Sequence, residues 1–434
     1  MLRIKNSLGL VAIFILSFVP IIFWIAMRPL ILRFASTSAT LTSLGQLSGL
    51  VGLAMFAVVL ILSGKFKFLE DYFGGLNRVY FAHHFFGGLA FVLMLIHPLF
   101  LAGKFLLVST HSAALFLLPS ANVAVNLGIF SLIFLIVLLV ITFFAKLPYE
   151  RWKVTHKFLG FAFFLAGLHS FLVPSDISRY LPLRLYILLL AVLGIVAYNY
   201  HTILGFILVK KFNYFIQNIK QLDSSVVEIE LASKDERQLK FQAGQFVNVS
   251  FQNKLVGTEL HPFSLAGSML AKNLILVIKN LGNLTSKLGN LKIGDNVKIE
   301  GPYGRFFTPN DKEEVWLAGG IGITPFLSRA RTMSDQGAVN KVINLFYCVK
   351  TQSEAVFLQE FLKIAELNKN FKVFSFCSDT QGYISVEHLK NTIGELYPKE
   401  FFLCGPLVMM NSLKNQLLTS GIAKHNIHSE DFSF

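Results

Sequence analysis

The chain has 434 residues, 54% of them hydrophobic, and a formal net charge of +14; mean hydropathy is +0.58. That is too apolar for a wholly soluble protein of this length, and the three cysteines (Cys348, Cys377 and Cys404) lack metal-ligand spacing and suggest no disulfide. Much of the basic excess lies beside apolar helix ends, where anionic headgroups account for it, so no nucleic-acid partner is expected.

Long apolar runs fill roughly the first 210 residues, and ordinary soluble composition follows. Six stretches are long enough to span a bilayer core of about 30 Å: 8–27, 45–63, 79–101, 124–145, 152–173 and 184–209. The first has no small-residue cleavage site, so it is expected as a retained helix rather than a signal peptide. Arg3, Lys5, Lys65, Lys67, Arg78, Lys146, Arg151, Lys153, Lys210 and Lys211 fall on one side of this topology. The other side has only Arg28, Arg33, Lys104, Arg179 and Arg184, so both termini are expected in the cytoplasm.

Ionisable side chains within a membrane are costly and mark function. The third stretch carries His83, His84 and His97, and the fifth carries His156 and His169. Each reads His-x-x-x-Gly (His83 to Gly87, His156 to Gly160), then an apolar run, then a second histidine. On an ideal helix His97 returns to within about 40° of His83, about 21 Å along the axis. His84 and His97 point apart, and His156 and His169, also thirteen apart, fall about 140° out of phase. A bulge or tilt in the fifth helix is needed to bring those two onto one face. Two histidines at two depths on each of two helices suit two haems held by paired imidazoles, His83 with His156 and His97 with His169, and Gly87 and Gly160, one turn inside the inner histidines, are expected to leave room for the flat macrocycle. Structural histidines bonded between helices are the alternative. Zinc wants three or four ligands at one point, which this spacing does not supply.

From about 213, "SVVEIELAS", "QFVNVSF", "LILVIKN" and "NVKIEGPYG" read as short strands of an antiparallel barrel ending near 308. "EVWLAGGIGITPFLSRART" then reads as strand, glycine turn and helix, and further apolar strands alternate with helices, as in a parallel sheet with a nucleotide site at the strand carboxyl ends. The expected domains are 1–212, 213–308 and 309–434. Gly319, Gly320 and Gly322 let backbone approach a pyrophosphate at a helix N-terminus, although the pattern is not GxGxxG. "HPFS" offers Ser264 to a ring nitrogen, and "LGNLTSKL" has the look of a phosphate-binding helix start. "CGP" follows a strand where a nicotinamide would lie, and the terminal "EDFSF" offers aromatics to cover a flavin.

Taken together, "GQF", "HPFS", "GNLTS", "GPYG", "GGIGITPF", "CGP" and "EDFSF" resemble the ferredoxin–NADP reductase type of dehydrogenase. Joined to the histidine-bearing helices, the chain resembles the ferric reductase and NADPH oxidase superfamily, in its compact bacterial form. The resemblance implies a multi-domain membrane protein: an all-α six-helix transmembrane bundle, an antiparallel β-barrel FAD domain and an α/β parallel-sheet NAD(P)H domain. It implies FAD contacts from His261, Pro262, Phe263 and Ser264, with Gly282, Thr285 and Ser286 on the FAD pyrophosphate. Gly301, Tyr303 and Gly304 would form the flavin-side turn. Gly319, Gly320, Gly322, Thr324 and Pro325 would hold the nicotinamide dinucleotide, and Cys404 and Gly405 would lie near its nicotinamide. Phe432 or Phe434 would stack on the isoalloxazine, so Ser264, Cys404 and Phe434 are the expected catalytic residues. His83, His97, His156 and His169 would bind two b-type haems, with His84 an alternative to His83.

The activity so implied is an NAD(P)H-dependent flavohaem oxidoreductase of a bacterial inner membrane. Its acceptor across the bilayer would be dioxygen or ferric iron, or else a quinone or periplasmic redox partner. Near Lys350, "VKTQSEA" offers lysine rather than a bidentate arginine for a 2′-phosphate, so NADPH and NADH both stand. A transporter with a regulatory nucleotide domain would want acidic residues inside the helices. In the first 210 residues acids occur only as Glu70, Asp71, Glu150 and Asp176, all in loops.

Overall fold

The computed structural model describes residues 2–145, 147–235, 238–280, 285–307, 310–337 and 340–430. It divides into two units, Met1–Val209 and Lys210–Phe434.

The first unit is helical. Its main elements are α1 (Leu2–Met27), α2 (Thr37–Ser63), α3 (Leu76–Leu106), α4 (Val123–Phe144), α5 (Tyr149–Lys157), α6 (Leu159–Leu172) and α7 (Leu181–Tyr198). Polar caps set two of the starts. The Ser36 hydroxyl accepts from the Ala39 N–H at 3.2 Å before α2, and the Asn122 side chain accepts from the Val125 N–H at 3.2 Å before α4. The middle of α2 is buried on nearly every face, from Leu50 to Leu60, against α1, α3 and α7. Glycines allow that approach: a methyl on Gly52 would meet Met94 of α3 at 3.0 Å, and one on Gly194 of α7 the Ala57 carbonyl oxygen at 3.0 Å. Phe81 of α3, Val137 of α4 and Leu189 of α7 are exposed, as lipid-facing residues are. Among the described residues five helices are long and apolar enough to cross a membrane: Leu8–Met27, Thr37–Ser63, Leu76–Leu106, Val123–Phe144 and Leu181–Ile203. The last includes a short π-helix, Asn199–Ile203.

The stretch expected as one span over 152–173 is instead two helices, α5 and α6, meeting at Phe158. There the Phe161 N–H bonds to the Phe158 carbonyl at 3.0 Å, a tighter turn than α. The Tyr198 hydroxyl donates to the Lys157 carbonyl at 2.6 Å. The Tyr198 ring also lies where a Gly160 side chain would be. A partner from α7 thus satisfies a carbonyl at the break.

The second unit begins with β1 (Lys211–Gln221), so the barrel start expected at 213 falls inside this strand. With β2 (Val226–Ser233), β3 (Phe246–Phe251), β4 (His261–Ser264), β5 (Leu274–Lys279) and β6 (Asn296–Tyr303) it forms an antiparallel sheet in the order β4-β3-β6-β1-β2-β5. A bridge between Leu265 and Leu276 brings the sheet's two edges together, giving a nearly closed barrel. Alternate residues turn inward: Tyr214, Ile216, Val247, Val249 and Ile299 are fully or almost fully buried.

A parallel sheet follows, of β7 (Glu314–Gly319), β8 (Ile343–Val349), β9 (Phe371–Cys377), β10 (Glu400–Cys404) and β11 (Ile427–Glu430), in the order β11-β10-β7-β8-β9. Both faces are covered. Trp316 and Phe402 pack among one buried cluster, Leu317 and Phe401 among another. The connecting helices include α8 (Thr324–Gln336), α9 (Leu358–Leu367), α10 (Val386–Ile393) and α11 (Leu407–Thr419). Strand order reverses between β7 and β10, so their carboxyl ends form the switch-point crevice where such sheets take ligands.

Candidate functional sites

In the helical unit, the four histidines stand in two pairs. His83 and His156 have ring centroids 6.1 Å apart, and His97 and His169 have theirs 6.4 Å apart. Two imidazoles on opposite sides of one metal ion, with metal–nitrogen bonds of about 2 Å each, would have ring centres about 6 Å apart. Carbonyls orient the rings. His83 Nδ1 lies 3.0 Å from the Val59 oxygen, His97 Nδ1 2.6 Å from the Gly45 oxygen, and His169 Nδ1 2.7 Å from the Ala124 oxygen. A carbonyl can only accept, so each of these Nδ1 atoms carries its proton and leaves Nε2 free as a ligand. His84 instead places Nδ1 3.1 Å from Tyr80 of its own helix, on an exposed face, so His83 is the better partner for His156.

The break at Phe158 supplies the change of phase that thirteen-residue spacing demanded of His156 and His169. Gly160 does not open space beside His156; it receives the Tyr198 ring. Open space lies elsewhere: methyls on Gly88 and Gly167 would meet nothing within 4 Å. Two further glycines went unnoticed in the sequence. A methyl on Gly49 would sit 2.6 Å from His97 Nδ1, and one on Gly128 2.7 Å from His169 Nδ1. Each lies one turn after the accepting carbonyl, Gly45 or Ala124, and so admits the ring edge. Among the described residues no group of three or more His, Cys, Asp or Glu side chains forms a metal site.

In the second unit the motifs converge at two places. At the barrel's end, β3 pairs Phe246 with Ser264, Val247 with Phe263, Asn248 with Pro262 and Val249 with His261, all four of the latter half-buried. Phe246 also pairs with Tyr303 of β6. The Tyr303 hydroxyl donates to Glu300 at 2.7 Å, and Gln245 Nε2 donates to the Gly304 carbonyl at 3.1 Å. Gly304 has φ +100, and its missing side chain would meet Glu430 Oε1 at 3.2 Å. Glu430 is buried and in register with Cys404 across β10 and β11. Gln245 and Glu430 stand within the quoted "GQF" and "EDFSF", but sequence reading assigned neither of them a role. Thr285 bonds Asn280 at 3.5 Å and opens a 3₁₀ turn, Thr285–Asn290, that contains Ser286, rather than an α-helix. Gly282, Phe432 and Phe434 lie outside the described residues.

At the switch point the glycines divide their work. Gly319 and Gly322 press on the loop after β10. A methyl on Gly319 would strike Pro406 at 2.6 Å, and one on Gly322 would strike the Cys404 carbonyl. Gly405 closes the same contact, its missing side chain facing Gly319 Cα at 2.8 Å. Gly320, at φ +53, faces open space and is where a ligand can meet backbone. Thr324 and Pro325 begin α8 just beyond, with the Thr324 hydroxyl donating to the Ile321 carbonyl at 3.2 Å. Gly320 lines a small open cleft with Asp223, Lys279, Tyr347 and Glu354. Lys279 pairs with Glu354 at 3.5 Å. Burial, then the Asp223 and Glu354 carboxylates, push the Tyr347 hydroxyl far above its ordinary range. Burial resists the charge on Asp223, but the Ser225 N–H and hydroxyl, the Val226 N–H and Lys279 outweigh it and hold the carboxyl below its ordinary value. Burial also pushes the Cys348 thiol up to about 12, which leaves it unreactive.

Membrane-type helices joined to a barrel and a doubly wound sheet define a membrane-associated flavin and nicotinamide dinucleotide oxidoreductase architecture. Three families match in chain order: "Ferric reductase like transmembrane component" over residues 48–167, "FAD-binding domain" over 211–306 and "Oxidoreductase NAD-binding domain" over 316–415. The chain thus has the ferric reductase and NADPH oxidase-like architecture. It is 32% identical over 166 residues to a component of the Na(+)-translocating NADH-quinone reductase of Methylococcus capsulatus, covering 35% of this chain and 40% of that one. It is 27% identical over 231 residues to the toluate 1,2-dioxygenase electron transfer component of Pseudomonas putida, covering 50% and 66%. The chain spans about two fifths of the first of these relatives. Among solved structures, a flavohemoglobin from Malassezia yamatoensis aligns at TM-score 0.52 and 20% identity, over 92% of this chain and 99% of that one, a likeness of fold.

Proposed function

We propose that this chain carries electrons from NAD(P)H across a membrane, using FAD and two b-type haems, to a one-electron acceptor on the far side, dioxygen or ferric iron. The observation that carries the reading is the pair of histidine pairs, 6.1 and 6.4 Å between ring centroids, at two levels of one bundle. Bound FAD would supply the change from a two-electron hydride to single electrons, and bound haem would supply a one-electron couple inside the lipid.

The chain's own residues bind and orient. His83 with His156 and His97 with His169 would hold the two haems. The Val59, Gly45 and Ala124 carbonyls hold Nδ1 protons and turn Nε2 inward. Ser264, within the β4 segment His261–Ser264, serves the flavin ring; Thr285 and Ser286, with Gly282, serve its pyrophosphate. Gly301, Tyr303 and Gly304 form the flavin-side wall. Gly320 and the start of α8 receive the dinucleotide pyrophosphate, whose charge suits the helix N-terminus. Cys404 and Gly405 would lie near the nicotinamide, and Phe432 or Phe434, outside the described residues, would serve the isoalloxazine. The three tasks fall to the expected domains, with the first boundary moved from 212/213 back to 209/210, ahead of β1, and the second kept at 308/309. The lysine- and arginine-rich loops support a reading in which the termini and the second unit face the cytoplasm of a bacterial cell and the acceptor lies outside.

The test is an anaerobic visible spectrum of the full chain in detergent, before and after NADH or NADPH. Soret and α-bands of low-spin haem that sharpen on addition support the reading, and a flavin spectrum alone overturns its haem part. Air or ferric citrate, admitted afterwards, identifies the acceptor by the faster reoxidation.

A further inference from the structure

Three of the four histidines are held by one device, an Nδ1–H on a carbonyl of another helix. His83 uses Val59 of α2, His97 uses Gly45 of α2, and His169 uses Ala124 of α4. His156 departs from it. Its Nδ1 is buried and has no hydrogen-bond partner among the described residues. Its ring lies instead against Trp152, one turn earlier on α5, with centroids 5.1 Å apart and planes 25° from parallel.

The difference has an electronic consequence. An Nδ1–H bonded to a carbonyl makes the imidazole a more basic ligand. More basic ligands favour the oxidised metal, and second-shell hydrogen bonding is one of the means by which proteins set haem potentials. Both rings of the His97–His169 pair have this bond, and the glycines at 49 and 128 give them room to make it. The His83–His156 pair has it once. A stacked indole fixes the plane of a ring without drawing on its proton.

We propose that Trp152 is a positioning residue that holds His156 by stacking, in place of the carbonyl bond that holds the other three, and so makes the His83–His156 site the higher-potential of the two. This rests on the haem reading above.

The experiment is an anaerobic potentiometric titration of the full-length protein in detergent, read at the haem α-band and by low-temperature electron paramagnetic resonance. It compares wild type, Trp152→Leu, Trp152→Phe and Gly128→Ala. Wild type is expected to titrate in two steps. Trp152→Leu should shift the upper step and broaden one low-spin signal while the lower step stays, and Trp152→Phe should restore both. Gly128→Ala, whose methyl crowds His169 Nδ1 at 2.7 Å, should move the lower step alone. An upper step unmoved by Trp152→Leu overturns the proposal, and so does an upper step moved by Gly128→Ala. If Trp152→Leu loses one haem per flavin and keeps the lower step, the positioning role stands; if it loses both, the proposal falls. Wild type without haem would instead sink the haem reading, a result the flavin spectrum separates from this one.

Discussion

The Tyr198 hydroxyl reaches 41 positions back along the chain to the Lys157 carbonyl, at 2.6 Å, and closes the break between α5 and α6. It therefore bears on both histidines of that arm, since the break sets the angle between His156 and His169. Tyr198→Phe should keep the ring over Gly160 and lose only the hydrogen bond. The expected cost is about 0.5–1.5 kcal/mol of stability, together with a broadened low-spin signal if His156 holds a haem as proposed. Thermal denaturation and resonance spectra of the same preparation check both, and an unchanged spectrum would mean that the ring alone sets the angle.

Gly49→Ala tests the His97 side. Its methyl would stand 2.6 Å from His97 Nδ1 and displace that ring from the Gly45 carbonyl. The haem-to-flavin ratio should fall by about half, with NAD(P)H-driven reduction of ferricyanide by the flavin unit retained. Loss of dye reduction as well would point to general misfolding.

The switch-point glycine variants should both lose stability, for different reasons. Gly322→Ala drives a methyl into the Cys404 carbonyl, and overpacking of this kind costs about 1–3 kcal/mol. Gly320→Ala meets open space, and its left-handed φ of +53 costs roughly 1–2 kcal/mol. If the cleft takes the dinucleotide, Gly320→Ala should also raise KM for NAD(P)H severalfold at unchanged flavin content. Steady-state kinetics with ferricyanide give the answer.

Glu400 gives the second unit an acid dependence. Burial alone would raise its carboxyl, but the hydrogen bonds and charges of His428 and Lys312 outweigh burial and hold it at about 2. The His428 and Lys312 contacts are 2.7 and 3.0 Å. A folded value below the unfolded one near 4.5 means that this stabilisation is complete above pH 4.5 and is lost as pH falls towards 2. The full span is on the order of 3 kcal/mol. Chemical denaturation between pH 3 and 6, followed by tryptophan fluorescence, should show the loss, and Glu400→Gln should flatten it while lowering stability at neutral pH.

Much of this arrangement was legible in the sequence. The fourteen-residue spacing on α3 singled out His83 over His84, because helix period alone puts His83 and His97 on one face. The same arithmetic could not resolve His156 and His169. Their phase depends on a break whose cause, Tyr198, sits on another helix. Gly160 was misjudged for the same reason, its neighbour being remote in sequence. The barrel and sheet showed in their strand patterns and glycine turns, whereas Glu430 and Gln245 acquire meaning only through register with Cys404 and contact with Gly304. A glycine on one helix carries no mark of the histidine ring that it will meet on another, so Gly49 and Gly128 stayed hidden.

The carbonyls of α2 at Gly45 and Val59 receive His97 and His83 of α3, so the histidine interval on one helix is matched by an equal and opposite carbonyl interval on the other. The two helices act as a vernier. Inserting or deleting one residue in either, between these marks, would leave one ring aligned and swing the other by about 100°. The separation between the two histidine levels is thus coupled to two sequences at once, and a change in length is tolerated only when both helices change together.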